Sequence, residues 1–334
     1  MRSKPEEHHQ RIGPAQLTQV SDAEPPDALV GESDVFRRMM DKIHRYAEHD
    51  DIPVLLEGET GTGKTMLAQY LHRLSRRAQR PFIRIELGRV DDGLAAAELH
   101  GYRRGAFTGA VEDRPGPFAA AHGGSVFLDE LQNVSAAQQR CLLRIVDEGE
   151  VQQVGAVRSV RVDVRIISAT NVPLSQLLEE HTIRSDLAER IAACPIRVPP
   201  LREHLQDIPL LVRHYIARFW KPVGHRTAPE MQPELMAALT HHQWPGNIRS
   251  LRHVVRRLLI EALPDATVTF EHCRDDLAFL RTTCVEMPPA TPADARRARG
   301  QCKTATEAAR RIGVSRTQFY RLLKQPGDDA EASA

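Results

Sequence analysis

The chain has 334 residues, of which 41% are hydrophobic and 27% charged, and its formal net charge is +1. That length suits about two domains or one large domain with appendages, and the composition is that of an ordinary globular protein. Near-neutrality gives no global sign of a nucleic-acid partner, although a local patch still can; the absence of an apolar run near ~20 residues excludes a membrane span.

Residues 1–28 are polar, carry Pro5, Pro14, Pro25 and Pro26, have no apolar signal core, and are expected to be a flexible lead-in. A helix follows, capped by Ser33 or Asp34, with Phe36, Met39, Met40, Ile43, Tyr46 and Ala47 at helical spacing. "IPVLLEG" ends at Gly58 and reads as a buried strand, as do "PFIRIEL" (81–87), "GGSVFLDE" (123–130) and "VDVRIISATN" (162–171). Between the last two, "QQRCLLRIVDEG" (138–149) is helical and stops at Gly149. Strands alternating with helices imply a parallel sheet whose working edge lies at the strand C-termini. After Pro199-Pro200, residues 205–262 carry helical periodicity, and "EMPPATPADA" (286–295) reads as a linker. The five cysteines (141, 194, 273, 284 and 302) are odd in number and form no CxxC, so they read as reduced thiols in a cytoplasm. The pairs His8-His9 and His241-His242 form no ligand array and are expected on the exposed surface.

The phosphate chemistry is the sharpest signal. Gly58, Glu59, Thr60, Gly61, Thr62, Gly63, Lys64 and Thr65 fit GxxxxGK[ST] between a strand and a helix, with Met66 next in line. Glycines let backbone N–H groups wrap phosphate oxygens, and the helix N-terminus adds positive potential. Lys64 is placed to reach the β- and γ-phosphates of ATP, and the Thr65 hydroxyl to ligate Mg²⁺. Asp129 and Glu130 close an apolar strand, where two carboxylates are costly without a nearby cation. Asp129 would hold Mg²⁺ through water, and Glu130 would polarise the attacking water. Thr170 and Asn171 end the next strand, and Asn171 either orients that water or contacts the phosphate, or caps the turn before Pro173.

GETGTGKT, ELHGYRRGAFTGA, GGSVFLDE, VDVRIISATN, IRSDLAERI, PPLRE and WPGNIRSLRHV occur in this order. Together they resemble the AAA+ ATPases that activate sigma-54 RNA polymerase, the bacterial enhancer-binding proteins, over roughly residues 28–325. The resemblance implies an α/β AAA+ P-loop fold with a parallel sheet (29–204), a helical lid (205–265), a linker (266–295) and a Fis-type helix–turn–helix (296–327). It implies that the loop bearing Phe107 and Thr108 touches sigma-54 when ATP turnover moves it. It also implies that Arg184 and Arg190 reach a neighbouring subunit's ATP in a homo- or heteromeric hexameric ring, that Arg249 is the lid's sensor arginine, and that Val30 and Gly31 border the adenine. Three positions depart from the family pattern. Glu86 stands where an asparagine restrains the catalytic glutamate, His100 where phenylalanine is usual, and Thr65 where glutamate is frequent.

Between Asp294 and Lys324 there are nine Lys/Arg against two acids, a local footprint for DNA. "TEAARRIGVSRTQFYRLLK" reads as helix–turn–helix, with Gly313 in the turn and Ser315-Arg316-Thr317-Gln318 as a capping box. Arg316, Thr317, Gln318 and Arg321 would face the major groove of a two-fold symmetric enhancer site, with the chain as a dimer. About 28 residues precede the ATPase segment, too few for a receiver or ligand-sensing domain, so regulation is expected from a partner protein, heteromeric assembly or expression level, with a separate regulatory protein as the favoured reading. The alternatives are a DNA-binding regulator with a weakened ATPase, motivated by Glu86, and a P-loop ATPase of another trade.

Overall fold

The computed structural model describes residues 18–19, 29–220, 229–262, 267–273 and 292–301, and the single positions 305, 319 and 323. The chain divides into two compact units, Met1–Leu29 with Arg38–Glu59 and Gly63–Val198, and Val30–Arg37 with Thr60–Thr62 and Pro199–Ala334. In chain order the elements up to Val198 are β1 (Thr18–Gln19), α1 (Asp34–Ala47), β2 (Val54–Glu57), α2 (Lys64–Leu74), β3 (Phe82–Glu86), α3 (Ala95–His100), β4 (Gly101–Tyr102) and β5 (Arg114–Pro115). They continue with α4 (Pro117–Ala120), β6 (Ser125–Asp129), α5 (Ala136–Glu148), β7 (Glu150–Val151), β8 (Val160–Arg161), β9 (Arg165–Thr170), α6 (Leu174–Glu179), α7 (Ser185–Ile191) and β10 (Cys194–Arg197).

Six strands form one sheet in the order β1-β3-β6-β9-β2-β10. All neighbours are parallel except β1, which runs antiparallel to β3. Strands β6 and β9 are buried at every residue, as strands covered on both faces must be. Leu128, fully buried in β6, packs in a core with Leu55, Ile85, Phe118, Val126 and Leu142; its truncation to alanine is worth about 2–5 kcal/mol. Met39, Ile43 and Ala47 recur every four residues and give α1 its buried stripe. Its start is capped by Ser33, whose Oγ accepts from the Phe36 amide at 3.2 Å. Helix α5 opens on a capping box of Ser135 and Gln138 and stops at Gly149, which is left-handed at φ 63°. Sequence reading passes over β10 because Pro195 interrupts it. The structure pairs β10 with β2 alone, an edge where a missing N–H costs no ladder bond.

The second unit contains α8 (Ile208–Trp220), β11 (Glu230–Met231), α9 (Pro233–His241), α10 (Asn247–Glu261) and β12 (Thr267–Val268). Its core gathers Leu211, Tyr215, Leu235, Trp244, Leu251 and Val255. Asp207 is buried and accepts from Glu32 N (2.8 Å), Ser33 N (2.9 Å), Ser33 Oγ (2.6 Å) and the His204 ring (3.0 Å). That carboxylate fastens the Val30–Arg37 segment into the unit, since leaving it unpaired in the interior is costly.

Three expectations need correction. Thr18–Gln19, within the expected lead-in, pair with β3 at Arg84 and Ile83. The expected linker 266–295 is packed at both ends. Val268 is fully buried in a ladder with β11, and Cys273 joins the same core. A helix spans Pro292–Gln301, with Ala295 and Ala298 buried. Two-residue strands carry no period for a sequence reading to find, and proline at a first helical turn is favourable. Lastly, His242 is half-buried, edge-on to Trp244 with ring centroids 4.9 Å apart, and burial pushes its pKa down. Cys141, Cys194 and Cys273 are free thiols. His8, His9, Cys284, Cys302 and the proposed DNA-reading residues Arg316, Thr317, Gln318 and Arg321 lie outside the described residues.

Candidate active site

Parallel pairing brings the C-terminal ends of β2, β3, β6 and β9 to one edge of the sheet. The register sets Glu57 beside Thr170 and Glu86 beside Asp129. The P-loop leaves β2 there, and its first amide, Gly58 N, donates to Thr170 O at 3.1 Å. Gly63 at φ 96° turns the chain into α2. Lys64 Nζ donates to Gly58 O at 2.6 Å and to Glu59 O at 3.0 Å, which holds the ammonium in the loop's mouth. Thr65 Oγ1 donates to Asp129 Oδ2 at 3.4 Å. Met66 follows in the first turn of α2, half-buried.

Asp129 is buried. Its Oδ1 accepts the Glu130 amide at 3.0 Å, and its Oδ2 accepts Arg84 Nη2 and Nε at 2.7 and 3.1 Å. Thr65 and Asp129 thus offer a hydroxyl and a carboxylate side by side, the hard oxygen donors that Mg²⁺ takes. Glu130 is left-handed at φ 60°, an uncommon conformation for a side chain with a Cβ, and Asn133 Nδ2 donates to its Oε2 at 2.9 Å. Glu86 is engaged by Arg89 Nε at 2.9 Å and by Arg84 Nη2 at 3.7 Å. Asn171 is exposed just past β9, and its amide donates to Gln132 Oε1 at 3.3 Å.

The structure brings Lys64, Thr65, Asp129, Glu130 and Asn171 to this edge and does not gather Arg184, just before α7, and Arg190, in its last turn, with them. Arg184 is exposed and bonds Asp186 at 3.0 and 2.7 Å; Arg190 is exposed and bonds Asp147.

In the second unit, Thr60–Thr62 form the tip of the P-loop. Thr60 O accepts Asn247 Nδ2 at 3.0 Å, and Gly61 O accepts the Arg249 amide at 3.2 Å. Asn247 is fully buried at φ 52°, and its Oδ1 accepts the Leu201 amide at 2.8 Å. The Trp244-Pro245-Gly246-Asn247 turn starts α10 and puts Arg249 in its exposed first turn. Val30 packs against the helical core. A Cβ on Gly31 would sit 2.6 Å from the Phe36 ring, so only glycine fits there.

The Phe107–Thr108 loop lies between β4 and β5, which pair antiparallel. Its own backbone closes it, Gly105 N to Ala110 O at 2.8 Å and Ala110 N to Phe107 O at 3.0 Å. Phe107 is half-buried, edge-on to Tyr102 with centroids 5.0 Å apart, while Thr108 is exposed.

Sequence reasoning missed Arg84 and Asn133. The signal for Arg84 is strand alternation, Arg84 and Glu86 sharing one face between buried Ile83 and Ile85. The signal for Asn133 is its place three residues past Glu130, in a tight turn that folds the chain back.

Residues 29–197 match the sigma-54 interaction domain family, and residues 202–284 match the AAA+ ATPase lid domain. Over 249 residues the chain is 39% identical to the transcriptional regulatory protein XylR of Pseudomonas putida, covering 75% of this chain and 44% of that one. It is 39% identical over 235 residues to the Psp operon transcriptional activator of Escherichia coli (strain K12), covering 70% of this chain and 72% of that one. NtrX from Brucella abortus, solved in complex with ADP, superposes with a TM-score of 0.69 at 29% identity, over 89% of this chain and 69% of that one. The chain spans less than half the length of several of its relatives, XylR among them. The family match runs from before α1 to the last residue of β10, so it encloses the five parallel strands of the sheet and the P-loop edge. The chain belongs to the sigma-54 interaction domain family of AAA+ P-loop ATPases.

Proposed function

We propose that this protein hydrolyses ATP at the edge formed by β2, β3, β6 and β9 and uses the turnover to activate sigma-54 RNA polymerase. The observation that carries the reading is the glycine-flanked Phe107–Thr108 loop, with Thr108 exposed, in a chain that also carries a P-loop and an acid pair. Lys64 and the backbone from Gly58 to Gly63 bind the phosphates, and Val30, Gly31 and Arg249 border the nucleotide. Thr65 and Asp129 hold Mg²⁺, which when bound neutralises phosphate charge. Glu130 takes the proton of the attacking water, and Asn171 orients that water or senses the γ-phosphate. Arg184 and Arg190, both exposed, serve the neighbouring subunit's site, so the active form is a ring, a hexamer in this reading. The ring is homo- or heteromeric. Arg316, Thr317, Gln318 and Arg321 read enhancer DNA, a separate regulatory protein controls assembly, and the setting is cytoplasmic. No helix among the described residues is long and apolar enough to cross a membrane.

The test is Thr108→Ala in a purified system with sigma-54 holoenzyme and a closed promoter complex. Open-complex formation is expected to be lost while ATP hydrolysis continues. Undiminished promoter opening would refute the loop's role, and a parent protein that never hydrolyses ATP would favour the regulator with a lost ATPase.

A further inference from the structure

Glu130 is held in an unusual way. Its backbone is left-handed at φ 60°, and its carbonyl accepts the Asn133 amide at 2.8 Å. Its Oε2 accepts Asn133 Nδ2 at 2.9 Å, so side chain and main chain are tied to the same residue. The bond lies against Gly88, in the turn that leaves β3. A Cβ there would come within 3.0 Å of both Glu130 Oε2 and Asn133 Nδ2. The carboxylate is therefore folded back on its own turn, with one oxygen occupied by a neutral amide donor. That oxygen must first leave the Asn133 amide before it can accept a hydrogen bond from water along the same direction. Glu86 has no amide to offer, and its oxygens are engaged by Arg89 and Arg84.

We propose that Asn133 is the positioning residue that restrains Glu130, keeping basal ATP turnover low, and that Gly88 makes room for the restraint. The proposal deepens the reading of Glu130 as the group that accepts the water's proton and rests on it. Asn133 touches neither nucleotide nor water in this role. It acts through Glu130 alone, so its removal changes the chemical step and leaves nucleotide binding unchanged.

The experiment is steady-state ATP hydrolysis by the full chain, with nucleotide affinity measured separately using a fluorescent ATP analogue. Asn133→Ala is expected to raise kcat about tenfold, the scale of one hydrogen bond to a charged group. KM and analogue affinity stay within about twofold, since uniform binding is untouched. Gly88→Ala crowds the same bond from the other side and raises kcat by a smaller factor, which guards against a folding defect peculiar to one variant. Both substitutions are repeated in a Glu130→Gln background, where neither changes the residual rate if the effect passes through the carboxylate. An unchanged or lower kcat in both variants overturns the proposal, as does an equal rise in the Glu130→Gln background. If Glu130→Gln alone hydrolyses ATP at the parent rate, the assignment of Glu130 has failed and the restraint falls with it, an outcome visible before the Asn133 variant is measured.

Discussion

Two glycine-rich loops of this protein contrast in what surrounds them. In the P-loop, Gly61 has φ 83°, and a Cβ would meet Gly246 O at 2.3 Å and Arg249 Cβ at 3.1 Å. In the Phe107–Thr108 loop, Gly105 and Gly109 have φ 81° and 108°, and a Cβ on either would meet nothing within 4 Å. Both loops use glycine for the left-handed turn that side chains resist. Only the first also uses it for close approach of backbone to backbone. The P-loop tip is consequently fixed by its neighbours, with Thr60 O and Gly61 O both bonded to the start of α10. The Phe107–Thr108 loop is fixed by its own short hydrogen bonds, the Tyr102 ring beside Phe107, and Gly155, whose added Cβ would lie 3.0 Å from Ala106. A loop held mainly by itself can be redirected as a body without disturbing a core.

The contrast breaks most visibly at its charged centre. Lys64→Ala removes the one ammonium held at the P-loop mouth by Gly58 O and Glu59 O. Nucleotide affinity should fall about 100-fold or more, the loss of charge-assisted bonds to phosphate, while the DNA binding proposed for Arg316, Thr317, Gln318 and Arg321 should be retained. A nucleotide titration and a DNA mobility assay on the same preparation check both halves; loss of both would mean that the two activities are not separable.

Gly61→Ala and Gly105→Ala sharpen the comparison directly. At Gly61 the left-handed φ and the clash with Gly246 O act together, and destabilisation of about 3 kcal/mol or more is expected. At Gly105 only the φ term operates, about 1 kcal/mol, and some of it escapes because the loop can relax into solvent. Denaturant midpoints of the two variants should differ clearly; equal shifts would show that the Phe107–Thr108 loop is as confined as the P-loop.

The same contrast explains what sequence could reveal. The fixed edge was legible because its chemistry demands residue types at set spacings: GxxxxGK[ST] after a strand, Asp129 and Glu130 closing an apolar run. The strands β2, β3, β6 and β9 were legible from their buried runs, with ends trimmed by one to three residues. Strand β10 was not, because edge placement tolerates Pro195. Arg84 on Asp129 was not, because a contact between neighbouring strands depends on register, and the pairing of Glu86 with Asp129 is a property of the sheet. The Asn133–Glu130 bond depends on one residue turning left-handed, which glutamate gives no local reason to expect.

The smallest expected effect lies at the root of the Phe107–Thr108 loop. His100 ends α3, immediately before Gly101 opens β4, and it is buried. Its Nδ1 finds no hydrogen-bond partner among the described residues. Burial pushes its pKa below the usual histidine range, with nearby Arg144 adding to the shift and Glu148 opposing it. The folded chain then binds fewer protons at this ring than the unfolded chain does, so its contribution to stability rises with pH through the window below about 6.5. It is present above that window and lost as the solution is acidified toward the folded-state pKa. His100→Phe replaces the unpartnered polar ring with an apolar one of similar shape. The variant should be more stable at pH 7 by about 1 kcal/mol and lose less stability between pH 7 and pH 5. His72, His214 and His242, also shifted down by burial, keep the remainder of the acid slope. Denaturant unfolding of both proteins at several pH values measures the difference in slope. Parallel curves would mean that the ring at position 100 titrates alike in the folded and unfolded chains.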